Sequence, residues 1–181
     1  MPGKVLKKYK NVSLLKILID KIKHLKMEND LVVATTNKIN DKKIIKFCKA
    51  NKVKYFIGPN NNVLKRYYLC AKKFKMDNVI RLTADCPFLD IYLLKRMILI
   101  FKKKKYEYLA NTYPLPCKYP DGSDIEIFSF ILLKKAFIRA KLPSEKEHVT
   151  NYMYKFSSKK IKRIDPKKDL SKYRYTIDNE D

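Results

Sequence analysis

The sequence predicts an α/β protein with an open, mostly parallel sheet, contained in a single domain over residues 1–181. Short β-branched apolar stretches alternate with longer segments whose apolar residues recur at helical spacing. Strand and helix in regular turn imply parallel strands joined by crossovers. The length of 181 residues suits one sizeable core rather than two, and a hydrophobic fraction of 46% supports a globular chain.

The chain opens on PGKVLK, where a proline and a glycine before Lys4 have the chemistry of a tight turn that aims a cation and usually follows a strand. Nothing stands before it, so either these residues are a free end of no importance or a first strand is missing ahead of Met1. In VSLLKILIDKIKHLKM, Leu14, Leu15, Leu18, Ile19, Ile22 and Leu25 fall on one helical face, with Ser13 as a plausible cap. LVVATT reads as a short buried strand ending in Thr35 and Thr36. The alternation continues with a helix from about Asp41 through Phe47, a strand VKYFIG, a helix VLKRYYLCAKKF, a strand NVIRLT and an amphipathic helix IYLLKRMILIF. Beyond Phe101, YEYLANT leads into the proline-rich loop TYPLPCKYPDG and the strand-like SDIEIFSF. A helix around FILLKKAFIRAK, a second from about Glu145 and a closing strand RYTID complete the reading.

Composition narrows the function classes. The chain carries 42 Lys+Arg against 18 Asp+Glu, a formal net charge of +24. Such an excess suits a polyanion partner. It is mostly lysine, though, and it comes with only 3 Gly and many Asn, Ile and Tyr, the pattern of a genome biased toward A and T. Nucleic acid is therefore not the expected partner, and a basic nucleic-acid-binding protein stays as an alternative. Cys48, Cys70, Cys86 and Cys117 lie far apart without a paired spacing, which indicates neither a zinc site nor a disulfide framework. Free thiols in a reducing cytoplasm are expected. The longest apolar run is broken by Lys95 and Arg96, so no membrane insertion is expected.

Ligands of an open α/β sheet bind outside the carboxyl ends of its strands. Thr35 and Thr36, Gly58, and the run Thr83, Ala84, Asp85 and Cys86 all follow predicted strands, so they should gather on one rim. The competing reading is that threonine and aspartate there only cap the next helix.

The blocks PGKVLK, VVATT, VLKRYY, RLTADCP, YPDGSDIEIFSF, LPSEKEHVT and RYTIDNED, in that order, resemble the cytidylyltransferase family of spore-coat polysaccharide biosynthesis, relatives of the enzymes that activate sialic acid and ketodeoxyoctonate with CTP. The resemblance implies a Rossmann-like, doubly wound sheet of the nucleotide-diphospho-sugar transferase type and transfer of CMP from CTP to a sugar acceptor. It implies Mg²⁺ held by Asp85 and Asp178, with Lys4, Asp85 and Asp178 as the catalytic set. Gly3, Lys4, Thr35, Thr36, Arg66, Arg81 and Thr83 would lie near the nucleotide, and Asp121, Asp124, Glu126 and His148 toward the sugar. For Arg66 and Arg81 scaffold pairing, for the acids strand-edge solvation, and for His148 a helix-surface place are the bland alternatives. Relatives commonly pair as homodimers. They also carry a strand and a loop of the form I-Q-A-R-x-x-S-x-R before the PGK turn and continue past DNED, so the resemblance implies a domain incomplete at its start and at its end. Ala84 departs from the glycine usual before DCP. A degenerate, non-catalytic nucleotide-binding member is thus the other alternative.

Overall fold

The computed structural model describes residues 3–103, 106–156 and 160–176. Gly3 has a left-handed φ of 75° and opens a short turn over Lys4–Leu6. Two short strands, β1 (Lys8–Tyr9) and β2 (Val12–Ser13), pair antiparallel. They are joined at Lys10 and Asn11, whose positive φ values of 46° and 67° suit a two-residue hairpin turn. Helix α1 (Leu14–Lys23) starts where Ser13 Oγ accepts from the Lys16 amide at 3.2 Å, and it buries Leu14, Leu15, Leu18, Ile19 and Ile22 as the spacing predicts.

The next units follow the predicted alternation: β3 (Val32–Thr35), α2 (Lys42–Ala50), β4 (Lys54–Ile57), α3 (Val63–Lys73), β5 (Asn78–Arg81) and α4 (Ile91–Lys102). Asn62 caps α3, and Asp90 caps α4 by accepting from the amides of Tyr92 and Leu93. Thereafter come β6 (Tyr108–Ala110), β7 (Glu126–Ser129), α5 (Phe130–Arg139), α6 (Pro143–Glu147), α7 (Asn151–Phe156) and β8 (Ile161–Arg163). No helix among the described residues is long and apolar enough to cross a membrane.

The sheet is mixed, which corrects the expectation of a mostly parallel one. β3 and β4 pair in parallel, whereas a second sheet of order β5-β7-β6-β8 holds β7 antiparallel to both neighbours and β8 parallel to β6. The reason is the connection: β6 passes to β7 through the proline-rich loop, with no crossover helix to return the chain to the same end. Buried Asn111 sets the register there, donating to the Ser123 carbonyl and accepting from the Ile125 amide, each at 2.8 Å. The single helix expected from Glu145 is two, α6 and α7, separated by His148–Thr150. β8 was not predicted. Of the closing strand RYTID, Arg174 makes one parallel bridge to Asp121, and 177–178 lie outside the described residues.

Strand alternation builds the core on both faces of this second sheet. Tyr108, Ala110 and Phe128 pack with Leu64, Leu132, Leu133 and Met153 of α3, α5 and α7. Leu109 and Ile127, one residue out of phase, pack with Leu18 and Ile22 of α1 and Leu93, Leu94 and Met97 of α4. Among the described residues β3 pairs only with β4 and β5 only with β7, so β3–β4 and the four-stranded group are separate sheets.

Candidate active site

The carboxyl ends of β3 and β5 gather most of the predicted rim. A cavity of about 220 Å³ is bounded by Val33, Ala34, Thr35 and Thr36 on one side, Ala84 on the other, and Val5, Leu15, Asp41, Ile44 and Arg66 around it. At the same rim Lys4 Nζ stands 2.7 Å from Asp85 Oδ2, so residues far apart in sequence meet as a half-buried ion pair. Gly3 sets the turn that brings Lys4 there. A Cβ at Gly3 would meet nothing within 4 Å, so its left-handed φ alone favours glycine.

Thr35 and Thr36 are buried and engaged with Asp41, just ahead of α2. One Asp41 oxygen accepts from Thr35 Oγ1 (3.1 Å), the Thr36 amide (3.1 Å) and Thr36 Oγ1 (2.5 Å). The hydroxyls thus lock the strand-to-helix turn while lining the cavity, and Asp41 was missed as the residue that orients them. A threonine pair followed five residues later by an acid at a helix start is the sequence signal that could have found it.

Arg66 reaches back from α3 and donates Nη1 to the Pro59 carbonyl at 2.9 Å. Its stem lies over Gly58, where a Cβ would come within 2.7 Å of Arg66 Cγ and 2.8 Å of the Phe56 ring. Glycine at the end of β4 is therefore what lets this arginine cross to the cavity. Burial lowers the guanidinium's pKa, partly opposed by Tyr67 and Asp41. Its Nε is buried without a hydrogen-bond partner, a donor a ligand could satisfy.

In the turn after β5, Thr83 Oγ1 donates to Cys86 Sγ at 3.0 Å and the Cys86 amide to the Thr83 carbonyl at 3.1 Å. Burial pushes the Cys86 thiol up to about 12, so it stays protonated and is no nucleophile at neutral pH.

The acids expected toward the sugar separate into different environments. Glu126 is fully buried: its carboxylate pairs with Arg81 Nη1 and accepts from Tyr108 Oη and Thr150 Oγ1 at 2.6 Å each. Burial opposes the charge of Arg81, yet Glu126 outweighs it and raises the guanidinium's pKa. Arg81 and Glu126 thus pair with each other inside the fold. Asp124 accepts from Thr112 Oγ1 at 2.7 Å, and Asp121 is exposed, with Arg174 Nε 3.3 Å from its Oδ2. His148 is exposed in the turn between α6 and α7. Asp178 lies outside the described residues.

The PDG turn docks the chain's last described segment. Gly122 has φ 85°, and a Cβ there would sit 2.5 Å from the Thr176 amide nitrogen and 2.7 Å from the Tyr175 carbonyl carbon. The Tyr175 amide donates to the Asp121 carbonyl at 2.7 Å. Gly122→Ala should therefore detach residues 174–176, adding backbone strain of about 1–3 kcal/mol to the clash. Hydrogen exchange at the Tyr175 amide is expected to speed up markedly in Gly122→Ala and to stay unchanged in Gly3→Ala, where a Cβ meets nothing. Equal protection in the two variants would refute the docking role.

Asp85 is a hard oxygen donor of the kind Mg²⁺ takes, one or two carboxylates with water and phosphate oxygens completing the shell. No group of three or more metal-binding side chains occurs among the described residues. Asp85 supplies such a donor at this rim, beside Lys4.

A family model described as cytidylyltransferase matches residues 1–179. An uncharacterised protein of Methanocaldococcus jannaschii is 32% identical over 154 residues, covering 85% of this chain and 61% of its own length. The spore coat polysaccharide biosynthesis protein SpsF of Bacillus subtilis is 31% identical over 160 residues, covering 84% of this chain and 64% of that protein. The chain thus spans less than two thirds of the length of these curated relatives. The solved structure of a cytidylyltransferase from Leptospira borgpetersenii superposes with a TM-score of 0.91 at 33% identity, over 99% of this chain and 76% of that one. A CMP:2-keto-3-deoxy-manno-octonic acid synthetase complexed with CTP shares the fold, with a TM-score of 0.65 at 12% identity over 92% of this chain and 84% of that one.

Proposed function

The chain belongs to the cytidylyltransferase family, and from that membership we propose that the working enzyme transfers CMP from CTP to a sugar acceptor, releasing pyrophosphate, for the building of a surface glycan. The name of the Bacillus subtilis relative supports the sugar-polymer setting. The observation that carries the reading is the meeting of Lys4 with Asp85 at 2.7 Å, on the rim where Arg66 and the two threonines line a cavity.

In this reading an acceptor hydroxyl attacks the α-phosphorus, the bond from that phosphorus to the bridging oxygen breaks, pyrophosphate leaves with the electron pair, and the hydroxyl proton passes to solvent. Positioning and charge neutralisation dominate such displacements. Lys4 and the open donor of Arg66 serve the phosphates. Asp85 and Asp178 would hold Mg²⁺, which supplies charge neutralisation at the phosphate oxygens when bound. Tyr175 lies against Phe88, three residues after Asp85, which brings the chain's last described segment to the Asp85 loop. The same reading includes a further strand linking the two sheets, since among the described residues β3 pairs only with β4 and β5 only with β7.

The test measures pyrophosphate release with CTP, a panel of sugar acids and Mg²⁺, for the 181-residue chain and for one extended ahead of Gly3 by an apolar strand. Release that needs CTP, sugar and metal together is expected, with the extended chain both faster and higher-melting. Equal rates and melting would remove the strand. No release from either chain would remove the reaction.

A further inference from the structure

Phe88 and Tyr175 stand apart from both core clusters. Their rings meet edge to face, with centroids 6.1 Å apart and planes at 63°, while the residues stay 55% and 40% exposed. What sets this pair apart from the other exposed aromatic residues is that its two rings are held against each other.

Each is held by its neighbours. Phe88 follows Asp85 by three residues, and the next residue, Leu89, is buried against α1 and α4, its carbonyl accepting from Lys21 Nζ at 2.9 Å. Asp90 then caps α4, so the loop bearing Phe88 is pinned on its downstream side. Tyr175 is fixed by its amide N–H, which donates a hydrogen bond to the Asp121 carbonyl, and by the backbone contact that Gly122 permits. The two rings therefore join the Asp85 loop to the Asp121–Gly122 turn, whose exposed Asp121 carboxylate lies 3.3 Å from Arg174 Nε.

An open aromatic pair bridging two acid-bearing loops matches the chemistry of a pyranose, which has an apolar C–H face and hydroxyls around its edge. We propose that Phe88 and Tyr175 form the wall of the acceptor subsite, stacking on the C–H face of a sugar ring while Asp121 accepts from its hydroxyls. This rests on the cytidylyltransferase reading. The pair selects the acceptor and leaves the nucleotide untouched, because neither ring lines the cavity that Arg66 and the threonines bound.

The chain has no tryptophan, so Phe88→Trp installs a lone fluorescent reporter, and Ile131→Trp on the exposed face of α5 serves as its control. Titration with N-acetylglucosamine and with 2-keto-3-deoxy-octonic acid, each with and without CTP, is expected to shift the emission of Phe88→Trp for at least one sugar and to leave Ile131→Trp unchanged. In turnover assays Phe88→Ala and Tyr175→Ala should each raise the KM for the sugar about tenfold, the scale of one lost stacking contact, and leave the KM for CTP within about twofold. No emission shift, or a KM for CTP that rises together with that for the sugar, would overturn the proposal and reduce the pair to a fastening for the tail. The two readings fail separately. Pyrophosphate release without a reporter response removes the aromatic wall alone, whereas a sugar response in a protein that never releases pyrophosphate removes the transferase reading and keeps the sugar site.

Discussion

Glu126→Ala should cost the fold about 3–5 kcal/mol, the scale of breaking a buried ion pair by removing one partner. The carboxylate is fully buried and serves three donors on separate elements: Arg81 at the end of β5, Tyr108 on β6 and Thr150 before α7. Truncation leaves a guanidinium and two hydroxyls facing a void, and the guanidinium cannot shed its charge. A loss of this size should lower the melting temperature by roughly 10 °C for a domain of this length, read by thermal or urea unfolding. Glu126→Gln should fall between wild type and Glu126→Ala, because the amide oxygen can still accept while its NH₂ group faces Arg81. A loss below about 1 kcal/mol for Glu126→Ala would show that water replaces the carboxylate and that the cluster is not the buried tie described.

Asp85→Asn is expected to lower kcat by at least about 100-fold while leaving melting within a few degrees, since a partly exposed ion pair contributes little to stability. The amide keeps the shape of the side chain and removes the negative charge that faces Lys4 and would hold magnesium. Raising the Mg²⁺ concentration should recover part of the lost rate if metal affinity is what has fallen. Full activity in Asp85→Asn would remove Asp85 from the chemistry. The comparison is made on the same extended chain as the pyrophosphate assay, so that folding does not confuse the result.

What could be read in the sequence follows from how local each signal is. Helices α1, α3 and α4 were legible because their apolar spacing is set within one element and their caps Ser13, Asn62 and Asp90 stand beside it. The rim was legible because crossovers put strand ends on one side, which is where Thr35, Thr36 and Asp85 follow β3 and β5. Strand direction was not, since residue alternation is the same for either polarity and only the connection after β6 reveals the reversal. β8 was missed because Ile161–Arg163 has one apolar residue in three and owes its pairing to β6. The environment of Glu126 was available in principle. In SDIEIFSF, Phe128 shares its face while Ile125 and Ile127 line the other, so both faces of β7 are covered and an acid there must be paired inside. Pairing of the tail with the PDG turn joins residues distant in the chain, and no local pattern announces it.

The pairing of β3 with β4 alone and of β5 with β7 alone, among the described residues, has a consequence for handling the protein. Strand rims without neighbours present rows of amide and carbonyl groups that template pairing with other chains. The chain's net charge of +24 works against such contact through mutual repulsion, a protection that salt screens away. Dilute, low-salt solutions are therefore the conditions in which this molecule keeps to itself, and concentrated brine is where it is drawn into intermolecular ladders.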